Sequence, residues 1–122
     1  MNVFLWVLQI LLALGFLQHG LMMLSPTTSQ STRMPYIMAV PPILRRFIGV
    51  AEVIAMVGLI LPGLTHILSW LTPLAATGLV ILMISAAIFH IPRREYPNIV
   101  LNLIFLAMAA IVAYGRFVVV PL

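Results

Sequence analysis

The sequence contains no cysteine, no lysine and only two acidic residues, Glu52 and Glu95. Without cysteine the chain cannot form disulfides, thiolate metal sites or cysteine-ligated iron–sulfur clusters, so thiol redox chemistry is excluded. Charged residues make up 7% of the chain, whereas about a quarter of an average soluble domain is charged. The net charge of +4 comes from scattered arginines, a pattern that argues against a nucleic-acid partner and favours anionic lipid.

Apolar residues dominate the rest of the composition. They make up 64% of the 122 residues, and the mean hydropathy is +1.24, which is more apolar surface than a soluble fold of this length can bury. We therefore predict an integral membrane protein with one domain, residues 1–122. A helix that crosses a bilayer needs about 20 apolar residues, and four runs approach or exceed that length: residues 3–24, 42–61, 73–90 and 98–120.

Proline and polar residues mark the ends of these runs. Ser25-Pro26 is expected to end the first helix, because proline cannot continue a helix and restricts the residue before it. Pro42 suits the first turn of the second helix, and Pro62-Gly63 is expected to stop that helix. Thr72 and Asn98 are placed to cap the third and fourth helices. In the first connection we expect a polar loop, followed by an apolar segment at the membrane interface.

These boundaries predict an all-α fold, a four-helix transmembrane bundle with antiparallel up-down topology and both termini on the same side. Most arginines flank the first and third connections, whereas the termini and the second connection carry only Arg116. The positive-inside rule then places the arginine-rich loops in the cytoplasm and the termini outside, in a bacterial cytoplasmic membrane. We expect Arg116 to extend toward the outer interface and Tyr36 and Tyr96 to lie in the inner aromatic belt.

Glu52 is a charged residue that lies within the second apolar run. Insertion scales put the cost of a charged side chain at mid-helix at roughly 2.5–3.5 kcal/mol, and such residues usually face the interior of a bundle. We therefore predict a functional site around Glu52. The competing interpretation is that Glu52 pairs with Arg45 or a histidine and only fixes the packing of the helices.

The predicted topology brings polar side chains from all four helices to the same depth as Glu52. Glu52, His19 and His90 are the candidate acid–base residues, since histidine titrates near neutral pH. Five further residues are candidate ligand-binding groups: Gln18, Arg45, Ser85, Asn98 and Asn102. No spacing motif indicates a metal site, and no cofactor is evident, although a quinone head or the polar end of a lipophilic molecule suits such a pocket.

Several segments in this order resemble the DoxX-like family of small four-helix membrane proteins: Ile48-Gly49-Val50-Ala51-Glu52-Val53, Gly58-Leu59-Ile60-Leu61-Pro62, Trp70-Leu71-Thr72-Pro73-Leu74-Ala75-Ala76, Ala86-Ala87-Ile88-Phe89-His90 and Ala113-Tyr114-Gly115-Arg116. The resemblance covers nearly the whole chain. One departure is that family members often carry lysine three residues after the glycine that ends the first helix, where this chain has Met23.

The resemblance implies a membrane subunit linked to quinone-dependent sulfur oxidation or to an oxidative-stress complex, with the lipid bilayer, a soluble redox partner or a lipophilic molecule as partners. Two other hypotheses remain open. The chain is a stand-alone isomerase or hydrolase that uses Glu52 and a histidine, or it is a structural or assembly protein. The sequence also leaves open whether the chain forms a homo-oligomer, because small residues on the third helix suit either packing within the bundle or packing against a copy.

Overall fold

The computed structural model describes residues 1–122, and every regular element is helical. The elements are α1 (Asn2–Leu24), α2 (Thr28–Arg33), α3 (Tyr36–Ala39), α4 (Pro42–Thr65), α5 (Leu71–His90) and α6 (Tyr96–Tyr114), which continues as a π-helical turn over Gly115–Val119. Four helices are long and apolar enough to cross a membrane: α1, α4, α5 and α6 with its π-helical turn. The prediction of an all-α protein with four membrane-spanning helices is confirmed; the side of the membrane on which each end lies stays a prediction.

Apolar side chains cover the outside of the bundle as well as its centre. The core lies between the four long helices and includes Leu12, Phe16 and Leu79. Large side chains such as Ile54 and Ile81 are more than half exposed on the outer surface. An apolar exterior of this extent requires hydrocarbon around it, because monomeric soluble proteins rarely expose large contiguous apolar patches.

α4 continues through Pro62, although we expected Pro62-Gly63 to stop it. Proline has no N–H, so the carbonyl of Gly58, four residues earlier, loses its helical partner. The Thr72 hydroxyl donates a hydrogen bond to that carbonyl at 2.9 Å, which supplies the missing partner from α5. The helix instead ends at Thr65. His66 donates the last helical hydrogen bond, from its N–H to the Pro62 carbonyl, and its left-handed backbone (φ 58°) then turns the chain out of the helix.

The prediction that Thr72 and Asn98 cap their helices was wrong. α5 begins at Leu71 and α6 at Tyr96, and neither helix has a side-chain cap. Thr72 lies one residue inside α5 because its hydroxyl is committed to α4. Asn98 lies two residues inside α6, after Pro97, whose fixed φ suits a first turn.

The first connection is more ordered than the polar loop we expected. Thr27 and Gln30 form a capping box, in which each side chain bonds to the other residue's backbone N–H, and this starts α2. The sequence signature is threonine followed three residues later by glutamine. The apolar segment that follows forms α3, which buries Tyr36 and Ile37 in the bundle.

The backbones of α1 and α4 are in close contact at Gly20 and Gly49. A Cβ atom added to Gly49 would lie 2.8 Å from the Gly20 carbonyl oxygen, so only glycine allows this separation. Small residues let helices approach closely in lipid, where packing replaces the hydrophobic effect. The approach lies beside His19 and Glu52. Nearer the start of α1, the Gln9 amide donates to the Leu59 carbonyl, which lies nearer the end of α4, at 2.6 Å. Contacts that run in opposite directions along the two helices are those expected of an antiparallel pair.

We expect Gly49→Ala to separate α1 from α4 and to destabilise the protein by about 1–3 kcal/mol, the usual cost of overpacking a close contact. Gly78→Ala is the matched control, because a Cβ at Gly78 meets nothing within 4 Å. Thermal unfolding of the two purified variants in detergent measures the difference. Equal midpoints for the two variants would contradict the close-approach explanation.

Candidate functional site

Glu52 and His19 form a buried pair at the point where α1 and α4 meet. The two Glu52 carboxylate oxygens lie 2.7 and 3.0 Å from His19 Nδ1. Glu52 is 1% exposed, whereas the His19 side chain is about one-third exposed. A proton held between these atoms can sit on the imidazole or on the carboxyl group, so the pair has the geometry of an acid–base couple.

Tyr36 extends this pair through a second hydrogen bond. Its hydroxyl lies 3.1 Å from His19 Nε2, and its ring packs edge-on against His90 with centroids 4.9 Å apart. Burial, together with the nearby carboxylates of Glu52 and Glu95, raises the pKa of Tyr36 to about 12. Tyr36 therefore stays protonated at physiological pH. Its assignment to the aromatic belt was wrong, because α3 turns the side chain into the bundle.

A cavity of about 690 Å³ opens beside these groups, between the four long helices and α3. Most of its wall is apolar. Its polar lining includes seven of the eight site residues expected from the sequence, together with Tyr36: Gln18, His19, Glu52, Ser85, His90, Asn98 and Asn102. Cavities of about 300–1,000 Å³ with apolar walls and a few polar groups are typical of small-molecule sites.

Asn102 lines this cavity, and its side-chain amide nitrogen lacks a hydrogen-bond partner. Its Nδ2 atom is buried and has no partner in the protein, which is uncommon because buried polar groups are normally bonded. Ser85 differs, since its hydroxyl already donates to the Ile81 carbonyl of its own helix at 3.0 Å. Gln18 is exposed, and Asn98 is partly buried. Among the predicted ligand-binding residues, Asn102 is thus the one with a buried polar atom that lacks a partner.

Arg45 is the predicted site residue that does not line the cavity. Its guanidinium donates to the backbone carbonyl of Met23, in the last turn of α1, where carbonyls have no helical partner. Arg45 lies two helical turns before Glu52, about 10 Å along the axis, and its side chain extends away from the carboxylate. The alternative in which Glu52 pairs with Arg45 is therefore wrong, and His19 is the partner. Arg45 also brings a cation to Met23, where many family members carry lysine.

His90 belongs to a second ion-pair group at the edge of the cavity. Its Nδ1 atom lies 2.7 Å from Glu95 Oε1, which also accepts a hydrogen bond from Arg93 Nε at 2.9 Å. Burial of Glu95 opposes ionisation, but the hydrogen bonds from His90 and Arg93 outweigh it and hold the pKa of Glu95 below its usual value. This group links α5 to the start of α6.

Arg116 lies at the opposite end of the bundle and is buried, with 2% exposure. Its Nη1 atom reaches Asn2 and Val120 at this end, and Gln9 Oε1 accepts a hydrogen bond from its Nε at 2.7 Å within the bundle. That the side chain extends toward the outer interface stays a prediction. Its pairing with Gln9 was not predicted from the sequence. The available signal was a glutamine in the middle of an apolar helix, which needs a polar partner.

The family model of the DoxX-like family matches residues 7–112, nearly the whole chain. No curated protein and no solved structure matches the chain. No group of three or more histidine, aspartate or glutamate side chains is arranged to hold a metal ion. The match spans α1 through most of α6, and so includes every polar residue of the cavity.

We expect Glu95→Gln to destabilise the protein by about 1–2 kcal/mol at neutral pH, because it removes charge-assisted hydrogen bonds to His90 and Arg93. Since the folded-state pKa is lowered, this stabilisation is fully present above the ordinary glutamate pKa of about 4.3 and is lost as pH falls from there through the folded-state pKa. The unfolding midpoints of wild type and variant, measured from neutral pH to well below about pH 4.3, should therefore converge at the acidic end. A constant difference over that range would contradict the assignment; the exposed Arg46→Gln serves as control.

Proposed function

This chain belongs to the DoxX-like family, and on that premise we propose that it is a membrane subunit of a quinone-linked redox system that holds the quinone head in the cavity. The observation that carries the proposal is the unpartnered Asn102 amide in an apolar-walled cavity beside the His19–Glu52 pair. A binding site for a quinone needs the same combination of an apolar wall and a few fixed polar groups.

The polar groups of the cavity match the chemistry of a quinone head. Its two carbonyl oxygens accept hydrogen bonds, and Asn102 Nδ2 is a donor without a partner. Leaving that donor unpaired costs about 1–3 kcal/mol, so a carbonyl ligand that satisfies it gains that amount. A quinone supplies two-electron redox chemistry that is coupled to protons. His19 Nδ1 and Glu52 Oε2 lie 2.7 Å apart beside the same cavity, close enough to pass a proton between them.

The proposed redox partner would meet the chain at the ends of the helices that carry the arginines. Arg33, Arg46 and Arg94 are exposed there, and they flank the connections adjacent to the cavity. Such a surface favours an acidic partner through electrostatic complementarity. The partner's electrons would then be delivered close to the Glu52 end of the bundle.

Binding of a short-tailed ubiquinone and a short-tailed menaquinone analogue to the purified protein tests the proposal. We expect saturable binding of at least one analogue. Asn102→Leu should weaken it by about 5- to 30-fold, the loss of one hydrogen bond to a buried donor, and Glu52→Gln should also weaken it.

Thr77→Ala is the matched control, because the Thr77 hydroxyl bonds within its own helix and does not line the cavity. Absence of binding by the folded wild-type protein, or equal affinities for Asn102→Leu and Thr77→Ala, would overturn the proposal. In that case the structural interpretation, in which these groups only lock helices together, would be favoured.

A second candidate function is acid–base catalysis on a lipophilic carbonyl compound, as in an isomerase or hydrolase. The hydrogen-bonded series Glu52–His19–Tyr36 favours it, because a carboxylate that orients an imidazole is the arrangement general-base catalysts use. Tyr36 stays protonated, so its hydroxyl can donate a hydrogen bond to His19 Nε2 when Nδ1 donates to Glu52.

Exchange of deuterium from D2O into the carbon beside the carbonyl of a lipophilic ketone, followed by NMR, tests this second candidate. Wild type should accelerate exchange, and folded Glu52→Gln should lose about 100-fold or more of that rate, as expected when the carboxylate that orients the basic imidazole is removed. Tyr36→Phe should also slow exchange. If wild type is no faster than Glu52→Gln, catalysis of this kind is rejected.

A further inference from the structure

A second polar cluster surrounds Arg116 at the end of the bundle opposite the cavity. Its Nη1 atom donates to the Asn2 side-chain oxygen at 2.8 Å and to the Val120 carbonyl at 3.0 Å. Its Nε atom donates to Gln9, and its guanidinium lies over the Trp6 ring, 5.7 Å from the centroid. The remaining nitrogen, Nη2, is buried and has no partner.

The charge of Arg116 is not balanced by any acidic side chain. The only two, Glu52 and Glu95, are both engaged at the other end of the bundle, and Arg116 takes part in none of the three ion pairs. The acceptors around Arg116 are neutral amide and carbonyl oxygens. An unpaired charge within a protein is costly, and the dipole at the end of α6 offsets only part of that cost.

The N-terminus of α1 adds a second positive feature at the same place. α1 has no side-chain cap and no acidic residue in its first turn, so its first N–H groups have no helical partner. Free N–H groups and the helix dipole attract anions to such an end. Arg116 bonds to the side chain of Asn2, the first residue of α1, so the guanidinium lies beside the start of the helix.

We propose that the N-terminus of α1 and the Arg116 guanidinium form a binding site for a phosphate group, carried by a phospholipid headgroup or by free phosphate. The exposed Asn2 side chain is the neutral acceptor that a phosphate displaces. The phosphate oxygens then accept from Nη1 and Nη2 together, the paired geometry that arginine favours with phosphate. This gives Nη2 the partner that the protein does not supply.

The position along the chain suits a headgroup. Arg116 lies three residues before Val119, where the span ends, which is about 5 Å along the axis. A π-helical turn, closed by the Val120 N–H and the Gly115 carbonyl at 2.7 Å, shapes this end, and π-helical turns are frequent at functional sites. None of Asn2, Gln9 or Arg116 lines the cavity, so this site is independent of the quinone proposal.

Three additives to the protein in an uncharged detergent test the site: phosphatidylglycerol, diacylglycerol with the same acyl chains, and inorganic phosphate. We expect phosphatidylglycerol to raise the unfolding midpoint saturably and diacylglycerol to have no such effect. An effect of inorganic phosphate that competes with phosphatidylglycerol supports the site but assigns it to free phosphate. No effect of either anion overturns the proposal.

Two substitutions tie the effect to this site. Arg116→Gln should weaken phosphatidylglycerol binding about tenfold or more, as loss of a charge-assisted contact does, whereas the exposed Arg33→Gln should not. Asn2→Asp places a carboxylate beside Arg116, so it should raise the midpoint without lipid and abolish the response to lipid. This second variant keeps the test valid if Arg116→Gln does not fold. A response to phosphatidylglycerol that survives in folded Asn2→Asp protein overturns the proposal.

Discussion

The contact between Glu52 and His19 is the interaction on which the rest of the bundle depends. A carboxylate that is 1% exposed within a membrane-spanning helix requires a polar partner at hydrogen-bond distance. The glycine pair at the α1–α4 crossing lets the backbones come close enough for that partner to be a side chain of the neighbouring helix. The Tyr36 hydroxyl forms a hydrogen bond with the other imidazole nitrogen. The same hydrogen-bonded series therefore also holds α3 in place.

The two ends of the bundle differ in the partners that their charged side chains have. At the cavity end, each carboxylate has a histidine, and Glu95 has an arginine as well. At the other end, Arg116 is surrounded by amide and carbonyl oxygens and an indole ring. The first arrangement combines carboxylates with imidazoles, whose ring nitrogens can donate or accept a hydrogen bond. The second has a guanidinium, which only donates and does not lose its proton in proteins.

Much of the fold follows from local features of the sequence, because four apolar runs separated by proline and polar residues leave few other arrangements. The proximity of Glu52 to His19 also follows from topology, which puts both at similar depth. The direction in which the Arg45 side chain extends does not follow from the topology, because a long side chain in the first turn of a helix can reach several partners. Tyr36 was missed because a four-residue helix has no periodicity from which its buried face can be inferred. Gln9 and Arg116 are 107 positions apart, and only the packed bundle brings them together.

Several of the exposed residues at the margin of the cavity are apolar, among them Leu44, Phe47 and Leu101. A solute that passed between such residues would come from the hydrocarbon phase. Its effective concentration is then the concentration reached after partitioning into lipid, which for a long-tailed molecule exceeds the aqueous value by orders of magnitude. A weak intrinsic affinity is sufficient under these conditions, and the occupancy of the cavity would follow the ratio of ligand to lipid.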